Sequence, residues 1–162
     1  VSIHSSFLAE LPSKSVGADI GEITVLDQIE QSKAATFEIQ DDVADELTAS
    51  NIPLNSINAI IWSHHHLDHT GDPSLFPSTT SLVVGPGFKS DKTTFPGWPR
   101  NPEAVTVDDS FDGREVVELD FASSNSTIGG FPAVDWFEDG SFYVLQTEGH
   151  SKLNDSASSL RS

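Results

Sequence analysis

The run Ser63-His64-His65-His66-Leu67-Asp68-His69-Thr70-Gly71-Asp72 holds four of the chain's six histidines and sets a carboxylate among them. Read as His-x-His-x-Asp-His, it offers four side chains able to hold a metal: His64, His66, Asp68 and His69. Imidazole and carboxylate together suit zinc, and also iron or manganese. A solvated loop or a tag remnant would also be rich in histidine. Tags sit at termini, however, and this run is internal and interleaved with an acid.

The elements around the run must aim these groups. Ile57-Asn58-Ala59-Ile60-Ile61-Trp62 is apolar and β-branched and predicts a buried strand over 57–62. Residues two apart on extended backbone point to one side, so His64 and His66 leave the strand end as a two-nitrogen pincer, with His65 facing away. Thr70-Gly71-Asp72-Pro73 is turn chemistry, which lets Asp68 and His69 approach from another direction.

Farther out, Asp41-Asp42-Val43-Ala44-Asp45-Glu46-Leu47 predicts a helix capped by Asp41 or Asp42 and ended at Asn51-Ile52-Pro53. A short strand is expected over 23–26, one helical turn over 73–76 and a second short strand over 81–84. Residues 85–102 read as a long loop with four prolines and Phe88, Phe95 and Trp98. Its aromatics either rim the metal site, with Trp98 and Phe95 touching substrate, or pin the loop to the core. Residues 116–121 predict a strand with Val117, Leu119 and Phe121 inward and Glu118 and Asp120 outward. Segments 128–138 and 141–146 predict a hairpin turning at Asp139-Gly140.

Composition narrows the function classes. With 162 residues the chain suffices for a single domain, and with no cysteine it has neither disulfides nor thiolate ligands. The absence of methionine suggests a fragment or a processed chain. Twenty-five acidic residues against 8 basic ones give a net charge of −17, a surface that repels nucleic acid and anionic membranes. No run approaches the length of a membrane span and residues 1–12 lack a signal pattern, so the expected location is the cytoplasm. The expected partner is a small molecule.

Residues 60–73, with Leu82-Val83-Val84-Gly85-Pro86-Gly87-Phe88, resemble the metallo-β-lactamase superfamily, and within it the fungal lactonase-like branch. The resemblance covers most of 37–150. It implies an α/β (α+β) fold of the αββα sandwich type, of which a single partial domain over 1–162 would be the first half. It implies a two-zinc hydrolase of small acyl substrates such as lactones, esters or thioesters. His64 and His66 would bind the first metal, joined by His150 at the end of the second hairpin strand. Asp68 and His69 would bind the second metal, with Asp68 also orienting a metal-bound hydroxide. Asp19-Ile20-Gly21 faintly matches an early Asp-x-Gly of the family.

Where the family continues Pro-Gly-His-x-x-Gly-His, this chain reads Glu148-Gly149-His150-Ser151-Lys152-Leu153-Asn154. The bridging Asp and final histidine of the second metal are not found after it. Two expectations follow from that departure. This chain alone retains one metal or none, as a non-catalytic metal-binding remnant would. Its sheet also leaves an apolar face, including Val117, Leu119 and Phe121, open to self-association. An iron-dependent oxidoreductase or a phosphodiesterase of the same superfamily is the remaining alternative, the latter disfavoured by the acidic surface.

Overall fold

Ala59-Ile60-Ile61 forms β1 (Ala59–Ile61), the strand that delivers the chain to its histidines. The computed structural model describes residues 41–147 and 155–160, of which Leu67, Asp68 and 155–160 are described as backbone only. The strand expected over 23–26, the Asp19-x-Gly21 match and His150 lie outside the described residues.

β1 pairs in parallel with β2 (Ser81–Val84), and β2 with β3 (Val116–Glu118), so β2 is central. A parallel strand covered on both faces must be apolar throughout. Leu82, Val83 and Val84 are accordingly almost completely buried. Their alternation divides the core in two. Leu82 and Val84 face a cluster with Trp62, Phe88 and Phe111, against which Ile60, Phe95 and Val116 pack. Val83 faces the other way, into a cluster with Leu119, Phe121 and Val144.

Val144 belongs to a second sheet. β4 (Ser126–Ile128), β5 (Phe131–Asp135), β6 (Phe142–Thr147) and β7 (Asp155–Leu160) form an antiparallel sheet in that order. The two sheets share the Val83 cluster, joined by Val134, Trp136 and Phe142 from one side and Ala59, Ile61 and Val117 from the other. This is the mixed α/β architecture that the resemblance implies, with sheet packed on sheet. Helix α1 (Val43–Ala49) precedes β1. Its cap is Asp42, whose carboxylate accepts from the Asp45 amide at 2.9 Å while the Asp45 carboxylate accepts from the Asp42 amide at 3.3 Å.

Three expectations need correction. The face carrying Val117, Leu119 and Phe121 is not open: the antiparallel sheet covers it, with Leu119 and Phe121 each 5% exposed. The segment 128–138 is not one strand. Gly129 and Gly130 have φ of 61° and 89° and turn the chain between β4 and β5. Positive φ at both central residues is what a type I′ two-residue hairpin turn requires, and glycine reaches it without a steric penalty. The Asp139-Gly140 turn is also wider than a two-residue one. The Trp136 amide donates to Phe142 O at 3.0 Å, one step beyond the Asp135–Tyr143 pair, and the Asp135 carboxylate accepts from the Gly140 amide at 2.8 Å, so the connection runs over 137–141.

The long connection after β2 is folded back on itself. The Trp98 amide donates to Thr106 O and the Asp108 amide to Trp98 O, both at 2.8 Å. Phe88 is buried, and its ring lies edge-on to Trp62 at 5.9 Å, so aromatics do pin this segment to the core. Among the described residues no helix is long and apolar enough to cross a membrane.

Candidate metal centre

β1 ends at Ile61, and the Trp62 amide extends the ladder by one bond to Val83 O at 2.9 Å. The chain then leaves the sheet through the three consecutive histidines. His66 is extended (φ −69°, ψ 144°) and caps a single helical turn, α2 (Leu67–Thr70). The expected simple turn is therefore partly helical, carrying Asp68 and His69 on its backbone. It stops at Gly71, where φ is +56°, a region that glycine enters without strain.

This path gathers three imidazoles. The ring centroids of His64 and His66 are 4.6 Å apart with planes at 74°, and those of His64 and His69 are 4.2 Å apart at 44°. His64 is the central ring and is buried (9% exposed), whereas His69 is exposed. His65, expected to face away, has its ring 5.2 Å from that of His66. The Ser63 hydroxyl reaches Nδ1 of His64 at 3.1 Å and Nδ1 of His69 at 3.4 Å.

The donor chemistry, neutral imidazole from several directions, fits zinc. Among the described residues, however, no three His, Asp or Glu side chains form a group that could hold a metal ion. Two members of the sequence-derived ligand set, the Asp68 side chain and His150, lie outside the described residues. The described part supplies a cluster of imidazoles that further donors would have to complete.

The two aromatics assigned to substrate sit differently. The Phe95 ring packs on Phe111 at 5.2 Å, against the Trp62 cluster. Trp98 is 51% exposed, held through its backbone to the 106–108 segment.

Three residues that position the histidine run were not singled out as such by sequence reasoning. The indole Nε1 of Trp62 donates to Thr70 O at 2.7 Å and ties the end of α2 to the core. Arg114, just before β3, grips the segment after the run: Nη2 donates to Pro73 O at 2.7 Å and Phe76 O at 3.0 Å, and Nη1 to Thr80 O at 2.9 Å. Burial lowers the pKa of this guanidinium from its ordinary value, and the neighbouring Asp72 carboxylate opposes that shift. Ser63 is the third. Sequence signals existed for two of them: a hydroxyl directly before the first histidine, and an arginine in a chain with few basic residues.

The Trp62 bond gives a first prediction. Trp62→Phe keeps a ring in the cluster and removes the donor, so stability should fall by about 1 kcal/mol, read as a lower urea midpoint. An unchanged midpoint would mean that the indole N–H contributes nothing to holding α2.

Residues 28–151 match the family described as the metallo-beta-lactamase superfamily. The chain is 44% identical over 117 residues to a gamma-lactamase of Fusarium pseudograminearum, covering 72% of this chain and 28% of that protein. It is 44% identical over 116 residues to a gamma-lactamase of Gibberella moniliformis, covering 71% of this chain and 48% of that one. A metallo-hydrolase of Annulohypoxylon moriforme is 50% identical over 95 residues, covering 59% of this chain and 24% of the relative. The chain thus spans less than half the length of each of these relatives. No solved structure matches it.

Proposed function

Because the chain belongs to the metallo-beta-lactamase superfamily, we propose that it carries the histidine-rich half of a zinc site in a hydrolase that opens small cyclic amides or esters. Membership and the hydrolase names of its relatives support hydrolysis. The observation that carries the zinc reading is the gathering of His64, His66 and His69 at the end of β1, with centroids 4.2–4.6 Å from the central ring. The substrate class rests on the gamma-lactamase names of two relatives, and lactones, esters and thioesters share the same reacting carbonyl.

In this reading His64 and His66 hold the first metal with His150, and Asp68 and His69 hold the second. Bound zinc would lower the pKa of a water molecule toward neutrality and polarise the substrate carbonyl. Trp62 and Arg114 keep the ligand run in place, and the exposed Trp98 offers an apolar surface to substrate, with Phe95 supporting the loop behind it.

A second reading, metal binding without catalysis, rests on the departure at Glu148-Gly149-His150-Ser151-Lys152-Leu153-Asn154, which lacks the second Gly-His of the family pattern. Zinc analysis of the purified chain and a panel of γ-lactams, lactones and thioesters separate the two. The expected result is bound zinc with weak or no turnover by this chain alone. Two tightly bound zinc ions with turnover abolished by His66→Ala would establish a complete enzyme and overturn the non-catalytic reading. A chain that takes up no zinc would overturn both.

A further inference from the structure

The Ser63 hydroxyl lies between two rings, 3.1 Å from Nδ1 of His64 and 3.4 Å from Nδ1 of His69, the second contact at the long end of hydrogen bonding. We propose that Ser63 is a positioning residue that holds both imidazoles in the Nδ1–H form, so that one ligand of each metal presents Nε2. The proposal rests on the zinc reading above, in which His64 and His69 serve different metals.

The argument is one of donors and acceptors. A neutral imidazole has one N–H and one lone pair, and a metal takes the lone pair. A serine hydroxyl has one hydrogen and two lone pairs. Its single hydrogen can satisfy a bare Nδ1 on only one ring. Its two lone pairs can accept Nδ1–H from both rings at once. That double acceptance is the arrangement in which both rings keep an Nε2 lone pair for a metal. His64 is buried and Ser63 half-buried, which shields the first contact from water, whereas the contact to the exposed His69 is open to solvent. Ser63 also precedes His64 directly in the chain, so the backbone that places one ring places the hydroxyl as well. Outer partners of this kind orient metal-binding histidines and set their tautomer.

The test uses the full chain labelled with nitrogen-15 at histidine and free of metal. NMR should show His64 and His69 predominantly as Nδ1–H. Ser63→Ala should move both rings toward Nε2–H and weaken zinc binding roughly 10–100-fold, and Ser63→Thr, which keeps the hydroxyl, should restore both. A role in packing alone would leave the tautomers of a folded Ser63→Ala chain unchanged. The proposal is overturned if either ring of the unaltered chain is predominantly Nε2–H, a measurement that stands even if Ser63→Ala does not fold. It is equally overturned if Ser63→Ala folds and leaves the tautomers as they were. Should the unaltered chain bind no zinc, the zinc reading fails while the tautomers still decide the part played by Ser63.

Discussion

Zinc supplied at about a thousand times its dissociation constant is expected to stabilise the chain by about 4 kcal/mol, and His64→Ala to erase that gain. A ligand that binds only the folded state adds stability by mass action, so the shift measures the site directly. For a chain of 162 residues, about 4 kcal/mol is a rise in melting temperature on the order of 8–16 °C. His64 is the residue to remove because its ring neighbours those of both His66 and His69 and it is the buried one among them. Its loss deletes a nitrogen and leaves space where the other rings converge.

The same titration reads stoichiometry. Within the 162 residues, the candidates for a second metal are Asp68 and His69, and the one carboxylate after His150 is Asp155. Two protein ligands make a weak zinc site, where three or four are usual. Stabilisation should therefore saturate near one zinc per chain. Equal zinc-induced shifts in the unaltered chain and in His64→Ala would remove His64 from the site.

The second large effect is expected at Arg114. Its guanidinium donates to the carbonyls of Pro73, Phe76 and Thr80 at 2.7–3.0 Å, with Pro77 O at 3.5 Å. These groups lie on the segment that joins the histidine run to β2. Hydrogen bonds from a charged donor contribute about 1.5–3 kcal/mol each, but bonds sharing one side chain do not add. Arg114→Ala should therefore cost about 3 kcal/mol in the metal-free chain. Arg114→Lys should recover only part of this, because an ammonium on a flexible stem cannot reproduce the planar fork that spans several carbonyls. Urea unfolding gives the magnitude, and hydrogen exchange over 73–80 gives the location. If Arg114→Lys matched the unaltered chain, simple charge rather than the fork would be what holds the segment. Loss of the grip should also weaken zinc binding, since Pro73, whose carbonyl Arg114 holds, lies four residues after His69.

Local chemistry along the chain was enough to locate the ligand run, the strand before it, the Asp42 cap, the strand at 81–84 and the inward set Val117, Leu119 and Phe121. Each is written in short-range periodicity or in one residue type next to another, and the cap, the two strands and the inward set hold in the structure apart from shifts at element ends. The hairpin and its turn at Asp139-Gly140 were located, but not the width of that turn nor the separate turn at Gly129-Gly130. Gly129-Gly130 turns the chain one hairpin earlier, and the Asp135 carboxylate reaches the Gly140 amide across five residues, a contact that nearest-neighbour signals do not show.

What the tertiary structure alone decided is everything that depends on distant segments meeting. Whether Val117, Leu119 and Phe121 stay exposed depends on a second sheet whose strands come later in the chain. The grip of Arg114 on carbonyls 34 to 41 residues earlier has no local signature. The contacts that tie down the histidine run act through single atoms, Ser63 Oγ at the His64 ring and Trp62 Nε1 at the Thr70 carbonyl. Residue types nominate a metal site because ligand chemistry is a property of side chains. Whether those side chains converge is a property of the backbone path, and that path is set by packing on both faces of β2.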